Sequence, residues 1–453
     1  MALPPPIFAH GLVGRADLPI PAELFAAAAA VVLVVSFIAL ASLWSEPRLG
    51  REGARRLFAV PRALEVVPGA LGVAAFALVA YAGLAGTDAE QDNLAPTAVY
   101  VAFWVGIPFA SLLLGDVFRL ISPWRAIGRA AGWVAGRVAG DALPEPLPYP
   151  ERLGHWPAVA GIVGFGVCEL AWAPGREPWP LAVVMLVYLT AMLVGMSVYG
   201  VEAWTRRADA FGAYFGLFAR LAPLGTRDGV LSARCPGRAA AGLDPVPGTV
   251  ALLLVGIGVT AFDGASQGPL FNSAAPAMQD FFSGLGASTP HALELAFSVG
   301  LAVTVLVVAA IYWGAIEGMP RARGLARGEL GRALAHSLIP ILAAYVVAHY
   351  FSLLAYSGQD LWRLASDPLG NGADLLGGAD RSIDYSVVSA TAIWYVQVGA
   401  LVVGHVVALV LAHDRALVLY GDARAATRSQ VVMLALMVCF TCLGLWLLSV
   451  ANA

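Results

Sequence analysis

Residues Ile339–Tyr356 read IPILAAYVVAHYFSLLAY, an apolar run of membrane-spanning length that contains an ionisable histidine, His349. A polar group in hydrocarbon costs several kcal/mol unless a partner satisfies it, so an imidazole at this depth needs a local reason. At about 3.6 residues per helical turn, Tyr345, His349, Ser352 and Tyr356 share one helix face. We therefore expect this face to point into protein or a wet cavity rather than at lipid.

The composition is that of a membrane protein. Of the 453 residues, 59% are hydrophobic and only 13% are charged, which does not match soluble globular domains. The formal net charge is −3 and no long block of like charge occurs, so we expect no nucleic-acid partner. The sequence contains no Walker loop, no dinucleotide-binding glycine motif and no c-type haem attachment motif. The bilayer itself is the expected environment of nearly the whole chain.

Apolar runs of about 18 to 25 residues predict transmembrane helices, because the hydrocarbon core is about 30 Å thick. The sequence has about ten such runs and predicts an all-α, polytopic integral membrane protein that forms one transmembrane domain over 1–453. The predicted spans lie near 21–44, 67–86, 96–115, 157–173, 179–200, 247–263, 291–316, 335–356, 387–412 and 431–450.

Arginine placement predicts the orientation of the chain. All 27 basic residues are arginine, and 23 of them lie in five loops that share one side of the predicted membrane. The positive-inside rule puts that side in the cytoplasm and both termini outside. Two of these inner loops, 116–156 and 201–246, are expected to contain interfacial helices, which either pack on the membrane surface or bind anionic lipid or a cytoplasmic partner. The long outer loop 357–386 is expected to be a lid, a binding loop or disordered.

Ionisable residues near the outer ends of three spans form a candidate site. Glu169 lies about one turn from the end of its span, Asp263 ends another, and His349 lies roughly 10 Å below the outer end of a third. Gln397 lies at a similar depth in span nine. A histidine with carboxylates binds a divalent metal or relays protons. The alternative for His349 is a structural histidine that only forms hydrogen bonds, and the alternative for Glu169 and Asp263 is that carboxylates at span ends are simply solvated.

A second layer of ionisable residues lies toward the predicted cytoplasmic side. Its members could bind a metal, complete a proton path with the outer layer, or form ordinary hydrogen bonds between helices. They are Glu317, His336, His405 and His413.

Four segments resemble a family of bacterial, largely actinobacterial, multi-pass membrane proteins that carry the name fenitrothion hydrolase. The segments are 9–21 (AHGLVGRADLPIP), 115–125, 348–352 (AHYFS) and 404–415. The resemblance implies a bacterial cytoplasmic (plasma) membrane protein that hydrolyses organophosphate triesters.

The hydrolase hypothesis assigns roles to the outer layer. An apolar small-molecule substrate would enter from the bilayer, and a hydroxide bound to zinc, iron or copper would attack phosphorus. His349, Glu169 and Asp263 are then the expected metal ligands, and Tyr345 or Gln397 the expected catalytic donor to the phosphoryl oxygen. The competing hypothesis is a transporter or a membrane subunit of a metal-handling or respiratory-assembly system, with or without a partner subunit. Polar groups in both leaflets suit a translocation path equally well, although the sequence has no evident inverted repeat.

Overall fold

The computed structural model of the protein describes residues 22–50, 54–61, 63–139, 144–227, 229–322 and 324–451. The segment 9–21, which carries part of the family resemblance, lies outside these residues. The described chain is mostly helical. Its α-helices are α1 (Ala22–Leu43), α2 (Ala63–Ala85), α3 (Leu94–Thr97), α4 (Ile107–Leu114), α5 (Val117–Ile121), α6 (Pro123–Ala139), α7 (Trp156–Leu170), α8 (Pro178–Tyr199), α9 (Val201–Arg207), α10 (Ala210–Ala219), α11 (Arg238–Ala241), α12 (Thr249–Ser266), α13 (Pro269–Gly284), α14 (Thr289–Gly318), α15 (Arg327–Leu334), α16 (Leu338–Ser366), α17 (Ala390–Tyr420) and α18 (Ala423–Ala451).

Several of these helices have the length and composition of membrane spans. A helix is present at each of the ten predicted positions. Among the described residues, seven helical segments are long and apolar enough to cross a membrane. One of them joins α3 and α4 through a π-helical segment, Ala98–Gly106, and another joins α15 and α16 through a short 3₁₀ turn. The protein is therefore a helical chain suited to a lipid environment.

Prolines and glycines mark several helix ends. Pro157, Pro178 and Pro290 lie in the first turns of α7, α8 and α14. The N–H groups of a first turn have no acceptor within the helix, so the N–H that proline lacks costs no hydrogen bond there. Gly200 and Gly421 follow α8 and α17 with φ angles of 82° and 68°, which glycine adopts without strain. These helix boundaries follow from the local sequence.

Two helices form the centre of the described bundle. In α12, 78% of the membrane-length window is buried, and the window over α15 and α16 is 61% buried, against 17% in α14. The helix α16 also packs closely along α17, because a Cβ atom at Gly404 would lie only 2.8 Å from the carbonyl oxygen of Pro340. The polar groups of α12 and α16 consequently face protein rather than lipid.

A three-stranded antiparallel sheet corrects the all-α prediction. Its strands are β1 (Arg55–Ala59), β2 (Leu224–Arg227) and β3 (Val230–Ala233), in the order β1-β3-β2. The short hairpin of β2 and β3 lies in a predicted inner loop, and β1 joins it from the loop after α1. Strand β1 is too short and too exposed to show an apolar alternation, so its pairing across a long sequence separation was not predicted.

The predicted outer loop 357–386 is partly helical. The helix α16 continues to Ser366, which gives it 29 residues and a length of about 44 Å, well beyond the bilayer core. The remaining loop is held by backbone contacts with 87–94, where the Thr87 N–H donates to the Leu369 carbonyl at 2.8 Å. Gly370, with a φ angle of 64°, allows this approach, because a Cβ there would lie 2.7 Å from the Asp92 carbonyl oxygen.

The aromatic part of the second inner loop lies inside the protein. We expected the inner loop 201–246 to contain a helix at the membrane surface. Instead, the side chains of α10 are buried, and Phe211, Tyr214, Phe215 and Phe218 belong to the main apolar core. Aromatic partners from the π-helical segment and from α7 cover this helix.

Candidate functional site

The two central helices carry a buried histidine–carboxylate pair. The Nε2 atom of His349 on α16 lies 2.9 Å from Oδ2 of Asp263 on α12. The two side chains are only 8% and 4% exposed. A hydrogen bond of this length satisfies both groups away from water. The sequence-predicted residues His349 and Asp263 are thus brought into direct contact.

Glu169 lies beside this pair. Its side chain is buried on α7, one residue before the helix ends. The Glu169 and Asp263 carboxyl groups interact electrostatically. The Oε2 atom of Glu169 has no hydrogen-bond partner within the part of the chain that the structure describes. Two carboxylates close together in a buried site repel each other.

Two aromatic residues that the sequence did not indicate complete the cluster. The Tyr350 ring packs edge-on against the His349 imidazole, with centroids 4.6 Å apart. The Tyr350 hydroxyl is close enough to Asp263, Glu169 and the Trp104 indole to interact with them electrostatically, although within the described residues it forms no hydrogen bond of standard geometry. Trp104 comes from the π-helical segment, and π-helical turns occur often at functional sites. We call His349, Asp263, Glu169, Tyr350 and Trp104 the outer cluster.

The two predicted donors lie elsewhere on their helices. Tyr345 packs against a small apolar group that includes Ala29 and Leu401. Gln397 is buried in α17, whereas the partners found for His349 come from α12 and α16. The aromatic residue beside Asp263 is Tyr350, one position after His349. Neighbouring residues on a helix are about 100° apart, so the helix face that contains His349 does not include Tyr350.

The predicted second layer is not brought together as a group. Glu317 is exposed and forms an ion pair with Arg327, with Nε and Oε2 3.4 Å apart. The three histidines each contact backbone carbonyl oxygens. His336 faces the Ala333 and Leu411 carbonyls, His405 the Leu401 carbonyl, and His413 the Trp44 carbonyl.

His413 and Asp414 together connect α17 to the segment after α1. The Asp414 carboxylate accepts hydrogen bonds from the Trp44 indole at 3.0 Å and from the Arg48 N–H at 2.6 Å. The Leu49 N–H lies 3.3 Å from both carboxylate oxygens. These contacts indicate a structural role at the end of α1.

Replacing Asp414 by alanine is expected to release the segment around Arg48. The loss of these bonds removes about 1.4 kcal/mol of local stability or more, which raises the rate of tryptic cleavage after Arg48 roughly tenfold. Limited proteolysis in detergent measures this rate. The control is Asp422→Ala, because Asp422 caps α18 in an exposed position. Equal cleavage in the two variants would contradict the assigned role.

The metal-ligand prediction is not matched by a compact ligand set. Among the described residues, no group of three His, Cys, Asp or Glu side chains is close enough to hold a metal ion. In the outer cluster the His349 Nε2 and Asp263 Oδ2 atoms bond directly to each other, so these two atoms are not arranged around a common ion. We therefore derive no chemical step through a metal.

A second buried carboxylate lies on the predicted cytoplasmic side. Asp209 begins α10, and its carboxylate accepts hydrogen bonds from the Trp124 indole at 2.7 Å and from the Tyr188 hydroxyl at 2.8 Å. The Phe211 N–H donates to it at 3.1 Å. Burial raises the pKa of Asp209 to about 6, although the bonds from Trp124 and Tyr188 oppose this rise. The sequence does contain a signal for Asp209, since aspartate is a common helix N-cap. The donors from other helices, Trp124 and Tyr188, were not predictable.

Comparison with family models, with curated protein sequences and with solved structures finds no match to this chain.

Proposed function

We propose that this chain is a ten-span protein of the bacterial plasma membrane, with both termini outside, that couples transport to proton movement through the outer cluster. The observation that carries the proposal is the buried His349–Asp263 pair with Glu169 beside it. Ionisable groups at membrane depth are expensive, and a chain of Asp, Glu and His side chains is the usual composition of a proton relay.

The geometry of the pair supports proton transfer. At 2.9 Å, the His349 Nε2 and Asp263 Oδ2 atoms are within the distance at which a proton passes along a hydrogen bond. The other ring nitrogen, Nδ1, lies next to Gly264, where a Cβ would approach it to 3.5 Å. Because this residue is glycine, α12 places no side chain against Nδ1 at this point. The imidazole can therefore accept a proton on one nitrogen while it donates from the other.

The position of the carboxylates supports entry from the outer side. Glu169 is one residue from the C-terminal end of α7, and Asp263 is three residues from the C-terminal end of α12. In the predicted topology both helix ends face outward. His349 is deeper, along α16. A proton from outside would therefore reach Glu169 or Asp263 first and His349 next.

A hydrolase that acts on an apolar ester is the second candidate. The observation that favours it is the same pair, because an imidazole that bonds to a carboxylate through one ring nitrogen is the arrangement of a general base. In this proposal Asp263 orients His349, and Nδ1 removes a proton from the attacking water. The resemblance to the fenitrothion hydrolase family implies phosphotriesters as substrates. A metal-dependent form of this reaction requires stoichiometric zinc, iron or copper in the purified protein, lost in His349→Ala.

Proton movement in liposomes tests the transport proposal. The purified protein is reconstituted around a trapped pH-sensitive dye, a potassium diffusion potential is imposed, and a panel of small solutes is added outside. We expect at least one solute to produce proton uptake above that of empty liposomes. His349→Ala should abolish this uptake, because it removes the central member of the relay.

The matched control is His291→Ala. His291 lies exposed near the start of α14 and contacts Ser288, so its loss should leave proton uptake unchanged. Uptake that survives in His349→Ala would refute the proton-coupled proposal. Hydrolysis of an aryl dialkyl phosphate by the same preparation, lost in His349→Ala but retained in His291→Ala, would establish the second candidate instead.

A further inference from the structure

An apolar groove lies beside Phe165, whose ring contacts Trp104 of the outer cluster. It is a cavity of about 560 Å³ with walls from α2, the π-helical segment, α7 and α8. Phe165 lines the groove, and its ring centroid lies 4.5 Å from that of Trp104, a member of the outer cluster. Cys168 lines the groove, while its neighbour Glu169 belongs to the cluster.

The groove is elongated and opens toward the bilayer. Its wall on α8 extends from Leu181 to Ala191, which corresponds to about 15 Å along the helix axis. Gly164 on α7 and Val187 on α8 both line it and are both exposed, so the opening lies between these two helices. A Cβ atom at Gly164 would meet no atom within 4 Å. The space has the shape and polarity of a site for one acyl chain.

Arginines surround the predicted cytoplasmic end of this groove. Ile121 and Trp124 line that end. The arginines nearby are Arg119 and Arg125, which form ion pairs with Glu202, and Arg129, which forms one with Glu65. Arg206 also approaches Glu202, at 4.0 Å. Asp116 and Asp209 also lie at this end, so carboxylates balance much of the arginine charge, but three of the four arginine side chains are 38% to 62% exposed.

We propose that this groove binds one anionic phospholipid of the cytoplasmic leaflet, with an acyl chain between α7 and α8 and the headgroup at the arginines around Trp124. The apolar walls supply the affinity for the chain. The exposed arginine side chains select an anionic over a zwitterionic headgroup, because each arginine near the membrane surface favours anionic lipid. This site does not depend on the proton-coupled function proposed above.

Native mass spectrometry of the detergent-purified full chain tests the proposal. Phosphatidylglycerol and phosphatidylcholine with identical acyl chains are the two probes. Gly164→Leu fills the groove, and Gly314→Leu is the matched control, because Gly314 is also an exposed glycine of a membrane-length helix, where an added Cβ atom would likewise meet no atom within 4 Å. We expect the wild-type protein and Gly314→Leu to retain one phosphatidylglycerol, and Gly164→Leu to bind it at least tenfold more weakly.

Two results would overturn the proposal. One is equal retention of phosphatidylglycerol by Gly164→Leu and Gly314→Leu, which would indicate lipid bound only around the protein. The other is equal retention of the two lipids by the wild-type chain, which would remove the headgroup contact. Ala191→Phe, on the opposite wall of the groove, repeats the experiment from α8. It decides the outcome if Gly164→Leu does not fold, and a unimodal gel-filtration peak checks the folding of each variant.

Discussion

Replacing Asp263 by alanine is expected to destabilise the protein by about 3 to 5 kcal/mol and to abolish proton uptake in liposomes. The substitution leaves His349 buried without its carboxylate, and an unpaired buried polar or charged group carries its full desolvation cost. Reversible unfolding in mixed micelles measures the stability. Glu317→Ala is the control, because its ion pair with Arg327 is exposed and such pairs contribute at most about 1 kcal/mol.

A double-mutant cycle over Asp263 and His349 measures their interaction directly. We expect a coupling energy above about 2 kcal/mol, since the pair is buried and lies between the two most enclosed helices. Neutral hydrogen bonds between membrane helices average only about 0.6 kcal/mol. A coupling energy near that value would show that the pair is an ordinary helix contact, and it would remove the main support for the proton relay.

Replacing Asp209 by alanine is expected to cost at least about 3 kcal/mol of unfolding free energy. The substitution deprives the Trp124 indole, the Tyr188 hydroxyl and the Phe211 N–H of their acceptor, and each buried donor left unsatisfied costs about 1 to 3 kcal/mol. Asp209→Asn keeps one acceptor oxygen and should lose roughly half as much. An effect below about 1 kcal/mol for the alanine variant would mean that water replaces the carboxylate.

The same residue predicts a pH dependence. Because burial raises the pKa of Asp209 to about 6 in the folded protein, the folded state holds this proton more tightly than the unfolded state does. The stabilisation that comes from this tighter binding of the Asp209 proton is fully present below a pH of about 4, and it is lost as the pH rises through about 6. The stability of the wild-type protein relative to Asp209→Asn should therefore decrease over this range. A difference that does not vary with pH would contradict the raised pKa.

The positions of the helices were predictable because the information is local. Apolar length marks a span, proline begins a helix, and glycine ends one, so no knowledge of neighbours is needed. The sheet was not predictable in the same way. Its strand β1 pairs with β3 across a long stretch of intervening helices, and neither strand has a clear alternation of its own. The π-helical segment that contains Trp104 likewise has no sequence signature.

The candidate site was predictable only as a set of residue types. The depth of His349, Asp263 and Glu169 along their spans predicted that these ionisable groups lie near the same side of the membrane. In the structure, His349 and Asp263 are in contact. Helical spacing placed Tyr345 beside His349, whereas Tyr350 contacts the imidazole. Depth also grouped the inner histidines, which the structure distributes among separate backbone carbonyls.

The sequence by itself determined that the chain is helical, suited to lipid and polar at particular depths, because hydrophobicity and periodicity are properties of each segment alone. Only the tertiary structure decided which polar groups meet. The rotation of a helix about its axis and the choice of its neighbours depend on packing over the whole bundle. Thus the packing of α12 against α16 brings Asp263 into contact with His349. The burial of α10 places the aromatic residues of a predicted surface helix in the core.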